Sequence, residues 1–317
     1  NVASIPMESE SLLANKLGEF FPWHSSVRFM ADGSNPNEAA VRLARAVTSR
    51  DEIFFQGYHG YGTSFPHNPD ANDLHVDERR GIPEAMWKLT RQFVWGDYDK
   101  VSKIENVAAI IVEVPPQDEG AKEFLIHCLN QAHKIGALFV MDEVVTGLRL
   151  SPGGAQEYYG VRADLTCLGK TLGNGVNISA LLGDESVLKY FSEGVHYSCT
   201  FAGMGLATEP ALATLKWISE NKETIYPALY RRGEALKAQM NGVFRNFDLP
   251  ARMVGNATRP IIVNADPEWL NKWRDGMFAR GFYCMAHPWY VTMCHTEEVI
   301  AQTAEASYNV CREIADA

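Results

Sequence analysis

Ala137-Leu138-Phe139-Val140-Met141-Asp142-Glu143 is an apolar run that stops abruptly at two carboxylates. A strand that is apolar on both faces belongs inside a parallel sheet covered by helices. Its carboxyl end opens onto the edge where α/β sheets bind ligands, so the run delivers Asp142 there. Working outward, Val107–Val114 reads as a second buried strand and Lys122–Ile135 as the helix between the two. After the run, Leu165–Leu168 reads as a short strand entering Gly169-Lys170-Thr171, which carries Lys170 toward the same edge.

An acid and a lysine converging there are the pair that pyridoxal phosphate chemistry requires. The lysine forms a Schiff base with the cofactor aldehyde, and the acid keeps the pyridine nitrogen protonated. Buried Asp–Lys pairs also occur as plain structure, so the rest of the chain has to choose between the two.

Further elements repeat the alternation. Ser9–Phe21 reads as a helix with an apolar stripe, Val27–Met30 as a strand, and Asp32-Gly33-Ser34-Asn35 as a turn. A helix is expected from Pro36 to about Val47, with Asn35 as its N-cap. Glu52–Phe55 is a strand ending in Gly57-Tyr58-His59-Gly60, and Tyr61–Tyr98 an irregular excursion of the functional kind. Ile178–Gly183 is a returning strand. Two helices follow, Leu206–Asn221 and Ile225–Phe247, then a β-helix-β-helix unit from Ala251 to Ala317. The pattern predicts an α/β fold with three parts: an N-terminal helical segment (1–26), a large domain (27–215) and a smaller α+β domain with its connecting helices (216–317).

The 317 residues are 46% hydrophobic and 21% charged, as in a globular protein, and a formal net charge of -10 argues against a nucleic-acid partner. No apolar run reaches the length of a membrane span. Asn1–Glu10 lacks a secretory pattern, and six cysteines without a CxxC pair read as reduced thiols, so a cytoplasmic location is expected.

Gly33-Ser34-Asn35 leading into a helix makes an anion cup, or simply a capped helix. Tyr58 and His59 lie at a strand end, where an aromatic ring stacks on a planar cofactor or merely covers the core. Gly169-Lys170-Thr171 is not a Walker A loop, because the required glycine five positions earlier is Asp164. His59, His67 and His75 are eight residues apart, which suits no zinc site, so no metal is expected.

Taken in order, Val27 to Ala40, Tyr58-His59-Gly60, Met141 to Arg149, Ala163 to Lys170 and Thr200-Phe201-Ala202-Gly203 closely resemble the class III aminotransferases. Met293 to Ile300 resembles the glutamate-1-semialdehyde aminomutase branch in particular. The resemblance covers nearly the whole chain. It implies fold-type I, with a mostly parallel, seven-stranded type of sheet, and pyridoxal 5'-phosphate as cofactor. By the same resemblance Lys170 is the Schiff-base lysine and Asp142 the partner of the pyridine nitrogen. Val144 and Tyr58 pack on the two ring faces, and Gly33, Ser34 and Asn35 lie at the phosphate. His59 and Glu113 complete the cofactor surroundings, and Thr200 reaches the phosphate of a partner subunit, so a homodimer with shared active sites is implied.

The implied reaction moves an amino group from an amine or amino acid to a carbonyl acceptor. Aminomutase-like intramolecular transfer and a non-catalytic remnant are the alternatives. Asp32 departs from the small residue usual at its position and puts a negative charge beside the cup, Met204-Gly205 replaces Asn-Pro, and Glu113-Val114-Pro115 replaces Glu-Pro-Val. Relatives carry a further N-terminal segment that helps close the active site. The carboxylate-reading arginine of other branches is not identifiable; Arg259, Trp289 and Tyr290 are the substrate-side candidates.

Overall fold

Seven strands form the main sheet: β1 (Ser26–Met30), β2 (Ile53–Gln56), β3 (Thr90–Gln92), β4 (Ala109–Glu113), β5 (Leu138–Glu143), β6 (Leu165–Leu168) and β7 (Ser179–Gly183). Their order is β1-β7-β6-β5-β4-β2-β3. β7 runs antiparallel to both its neighbours, and the pairs from β6 through β5, β4 and β2 to β3 are parallel. The structure is a computed structural model and describes residues 5, 7–66, 79–117, 119–285 and 288–316.

The helices before, between and after these strands are α1 (Glu8–Phe20), α2 (Ser34–Thr48), α3 (Glu84–Trp87), α4 (Tyr98–Ser102), α5 (Ala121–Lys134), α6 (Gly154–Tyr159) and α7 (Glu185–Leu188). Alternation along the strands feeds two cores. Phe54, Ile110, Val112, Phe139 and Met141 pack with Phe124, Leu125 and Cys128 of α5. Their neighbours Phe55, Ile111 and Val140 pack with Ala40, Val41, Leu43 and Ala44 of α2. Burying a side chain of this size contributes about 1.5–3 kcal/mol, so a central strand apolar on both faces is stabilised twice over.

The chain divides into two compact units. One comprises residues up to Pro115 with Gly120–Glu220; the other comprises Pro116–Glu119 with Asn221 onward. Helix α8 (Gly205–Asn246) contains the division point. The second unit adds β8 (Arg252–Val254) antiparallel to β9 (Ile261–Val263), then α9 (Pro267–Ala279) and α10 (Glu297–Ala315). Trp273 is fully buried there among Phe244, Met277 and Val310, and its indole N–H donates to Ser307 Oγ at 3.0 Å.

Several expectations are corrected. The two helices placed on either side of 222–224 are one helix of 42 residues, which runs on through Pro227 although that residue has no N–H for the Glu223 carbonyl. Helix α2 starts at Ser34, two residues before Pro36, and Asn35 lies inside it rather than capping it. The excursion after Tyr61 contains α3, β3 and the start of α4; a polar three-residue edge strand has no apolar alternation to betray it. The second unit runs strand, strand, helix, helix, with no strand between α9 and α10 among the described residues. His67, His75 and His287 lie outside the described residues.

Candidate active site

Parallel pairing brings four strand ends together. Glu113 is opposite Asp142 in the β4–β5 register, and Asp142 is opposite Cys167 in the β5–β6 register. Lys170 therefore follows three residues beyond the position facing Asp142. Gln56, the last residue of β2, is opposite Val112, so the turn carrying Tyr58 and His59 emerges beside Glu113.

Asp142 is only 3% exposed. Its Oδ2 accepts from Asn37 Nδ2 at 2.8 Å and faces His59 Nδ1 at 2.8 Å, and its Oδ1 accepts from the Val144 amide at 2.9 Å. A carboxylate offers about four lone-pair positions, so these three contacts leave one, on Oδ1, for a further donor. Asn37 was not picked out by sequence reading. A polar residue on the buried face of α2, 1% exposed, was the available signal.

Lys170 is exposed and adopts a left-handed backbone, φ 32°. Such a conformation costs a non-glycine residue about 1–3 kcal/mol and collects at functional sites. Its ammonium has no hydrogen-bond or ion-pair partner among the described residues.

Glycines set the spacing of the remaining parts. A methyl on Gly33 would come within 2.8 Å of Val144 Cγ1, and one on Gly169 within 3.2 Å of the same atom. Val144 thus sits against the residue before Ser34 and the residue before Lys170, which joins the anion cup to the lysine. Gly60, at φ 92°, places its backbone so close to Ser34 that a Cβ would lie 2.1 Å from Oγ. Tyr58 is 58% exposed, and its amide donates to Glu113 Oε2 at 3.1 Å. Beyond them, Glu38 accepts from the amide and hydroxyl of Ser64 at 2.9 and 2.7 Å, which pins the chain after Gly60 to α2.

The cup itself is built differently from the expected one. Asp32 Oδ1 accepts from the amides of Ser34 at 2.9 Å and Asn35 at 3.2 Å, so the side chain of Asp32 caps α2. Thr200 is exposed in the turn before α8. Arg259 is buried in the second unit, and Trp289 packs at 6.1 Å on Trp273 in the core of that unit; Tyr290 is half-buried beside it in sequence. Among the described residues no group of acidic, cysteine and histidine side chains could hold a metal ion. None of the described helices is long and apolar enough to cross a membrane.

The ring side of this arrangement fits pyridoxal phosphate. A buried acid keeps a vacant lone pair, an unpartnered lysine lies beyond the adjacent strand, and glycine-spaced backbone gathers around one valine. The phosphate side fits once the Asp32 carboxylate gives up the two amides.

The chain belongs to the class-III aminotransferases, whose family model matches residues 2–248. Glutamate-1-semialdehyde 2,1-aminomutase of Chloroherpeton thalassium is 32% identical over 97% of this chain and 78% of that protein. The protein of the same name from Chlorobaculum tepidum is 30% identical, over 96% and 77%. Among solved structures, an omega-transaminase from Sphaerobacter thermophilus superposes with a TM-score of 0.86 at 21% identity, covering 98% of this chain and 80% of that one. A transaminase with PLP bound gives 0.88 at 20% identity, over 99% and 80%. These structures share the fold expected from the sequence.

Proposed function

We propose that this enzyme is a pyridoxal 5'-phosphate-dependent aminotransferase acting on a small amine or amino acid and a carbonyl acceptor. The observation that carries the reading is the Asp142–Lys170 arrangement: adjacent parallel strands end in a buried, triply hydrogen-bonded acid and an exposed, strained, unpartnered lysine. The cofactor, when bound, supplies an electron sink for the substrate carbanion. Lys170 would be the residue that holds the cofactor, and its amine would be the group that moves the substrate Cα proton. Asp142, held by Asn37, His59 and the Val144 amide, would stabilise positive charge on the cofactor's ring nitrogen. Val144 would support one ring face and Tyr58 would cover the other. Gly33, Ser34 and Asn35 take the phosphate, and His59 and Glu113 fix the acid and the Tyr58 turn.

Thr200 serves the site of a second copy, so the working form is a homodimer. Exposed Phe201 and Leu206, 60% and 70% accessible beside that turn, support burial against a partner. Six free thiols support a reducing, cytoplasmic compartment.

Intramolecular transfer is the second reading, favoured by the likeness to the curated aminomutases. The test is an absorption spectrum of the full chain with added pyridoxal phosphate, for the wild type and Lys170→Ala, followed by amine donors. A lysine-linked band in the wild type that is lost in Lys170→Ala and bleached by a donor upholds the reading; its absence from the wild type overturns it. Glutamate-1-semialdehyde turned over without any second carbonyl substrate would select the aminomutase.

A further inference from the structure

The two amides at the start of α2 are already engaged by an anion belonging to the chain. Asp32 Oδ1 accepts from Ser34 N at 2.9 Å and Asn35 N at 3.2 Å. Pro36, the next residue, has no N–H to add. The Ser34 hydroxyl accepts from the Tyr61 amide at 3.3 Å, and Gly60 lies too close to it for any side chain. Asp32 Oδ2 accepts from the Tyr61 hydroxyl at 3.4 Å, and Ser179 Oγ donates to the Asp32 carbonyl at 2.6 Å, so both ends of the residue are held.

We infer that Asp32 is an internal stopper of the anion cup, a carboxylate standing where the phosphate monoester of the cofactor would bind. This inference rests on the proposed function for the identity of the ligand, not for the contacts. Helix-start amides favour whichever anion reaches them, and a tethered carboxylate is always at hand. A phosphate must displace it and then remain close to its charge. Two effects therefore act against the phosphate, lost hydrogen bonds and like-charge repulsion. The raised pKa of the Tyr61 phenol, caused first by the Asp32 charge, is the same field acting on a neighbour. An ordinary N-cap has the same hydrogen bonds. What distinguishes the stopper is that removing it creates affinity for phosphate.

Ligand identity is separable from the stopper in one experiment. The wild type, Asp32→Ser and Asp32→Asn are titrated by calorimetry with inorganic phosphate at constant ionic strength. The same proteins are titrated with pyridoxal phosphate and with pyridoxal, which lacks the phosphate. Serine can still cap the helix, and asparagine keeps an acceptor without the charge, so folding is checked by melting curves and either variant suffices. Asp32→Ser is expected to bind inorganic phosphate about ten-fold more tightly than the wild type, with Asp32→Asn between them. Pyridoxal phosphate should tighten by a similar factor, while pyridoxal stays within about two-fold. Equal phosphate affinity in all three proteins overturns the stopper, whatever the cofactor does. A gain for phosphate with no cofactor bound by any form upholds the stopper and removes the proposed function.

Discussion

His59 places both ring nitrogens against acceptors: Nδ1 lies 2.8 Å from Asp142 Oδ2, and Nε2 lies 3.0 Å from the carbonyl oxygen of Gln56. A carbonyl only accepts, so Nε2 carries a proton, and the Nδ1–carboxylate contact needs another. The ring is buried between Phe55 and Phe65, at 5.9 and 4.8 Å between centroids, so it cannot turn to water for relief. His59 therefore holds Asp142 in place and keeps a proton between them.

Replacing His59 by Leu should lower kcat/KM by about ten-fold or more, because a buried carboxylate losing one partner costs about 1–3 kcal/mol. Asp142→Asn should cost about 10²–10³-fold, through loss of charge where charge develops. Steady-state kinetics with one amine donor checks both. Loss of stability in urea with unchanged kinetics would mean that His59 only packs.

Gly57 has φ 101°, and a Cβ there would lie 2.6 Å from Glu113 Cβ. Gly57→Ala should destabilise the first unit by about 1–3 kcal/mol and displace the Tyr58 turn. Chemical denaturation measures the first effect, and weakened cofactor binding measures the second.

Glu143, beside Asp142, is fully buried and has a different task. Its carboxylate accepts from Thr146 Oγ1 at 2.9 Å, the Ala155 amide at 2.6 Å, and the amide and Nε2 of Gln156, both at 3.0 Å. Burial pushes its carboxyl above the ordinary range while these donors pull it back. Glu143→Leu strands several donors and should cost about 3 kcal/mol or more, read as a lowered urea midpoint.

His24 is buried against Thr166, with Nε2 2.7 Å from Oγ1, and Gln156 Nε2 donates to that same oxygen at 2.7 Å. The Thr166 proton then points at His24, so the ring serves as an acceptor and stays neutral. Burial lowers its pKa from 6.5 to about 4. With the folded value depressed, this stability is present above pH 6.5 and lost as pH falls toward 4, about 3 kcal/mol in all. His24→Gln should flatten the pH dependence of the denaturation midpoint between 6.5 and 4. An unchanged slope would rule His24 out as its source.

The strand ending at Asp142-Glu143, the strand entering Gly169-Lys170 and the turn at Tyr58-His59 are each marked by a short boundary between apolar and polar residues. Such a boundary forms wherever the chain is buried on both faces, so sequence alone sufficed for the α/β class and for bringing the acid and the lysine to one sheet edge.

Tertiary structure decided what those residues touch. Asn37 meets Asp142 across 105 residues of chain, a pairing that only the packing of α2 on β5 creates. β3 is a strand because β2 offers it an edge, not because Thr90–Gln92 prefers to be one. Asp32 reads in sequence as a charge near the cup and in three dimensions as the group that fills it. Periodicity reports burial residue by residue, whereas a hydrogen bond depends on where two distant backbones come to rest, and only the folded chain settles that.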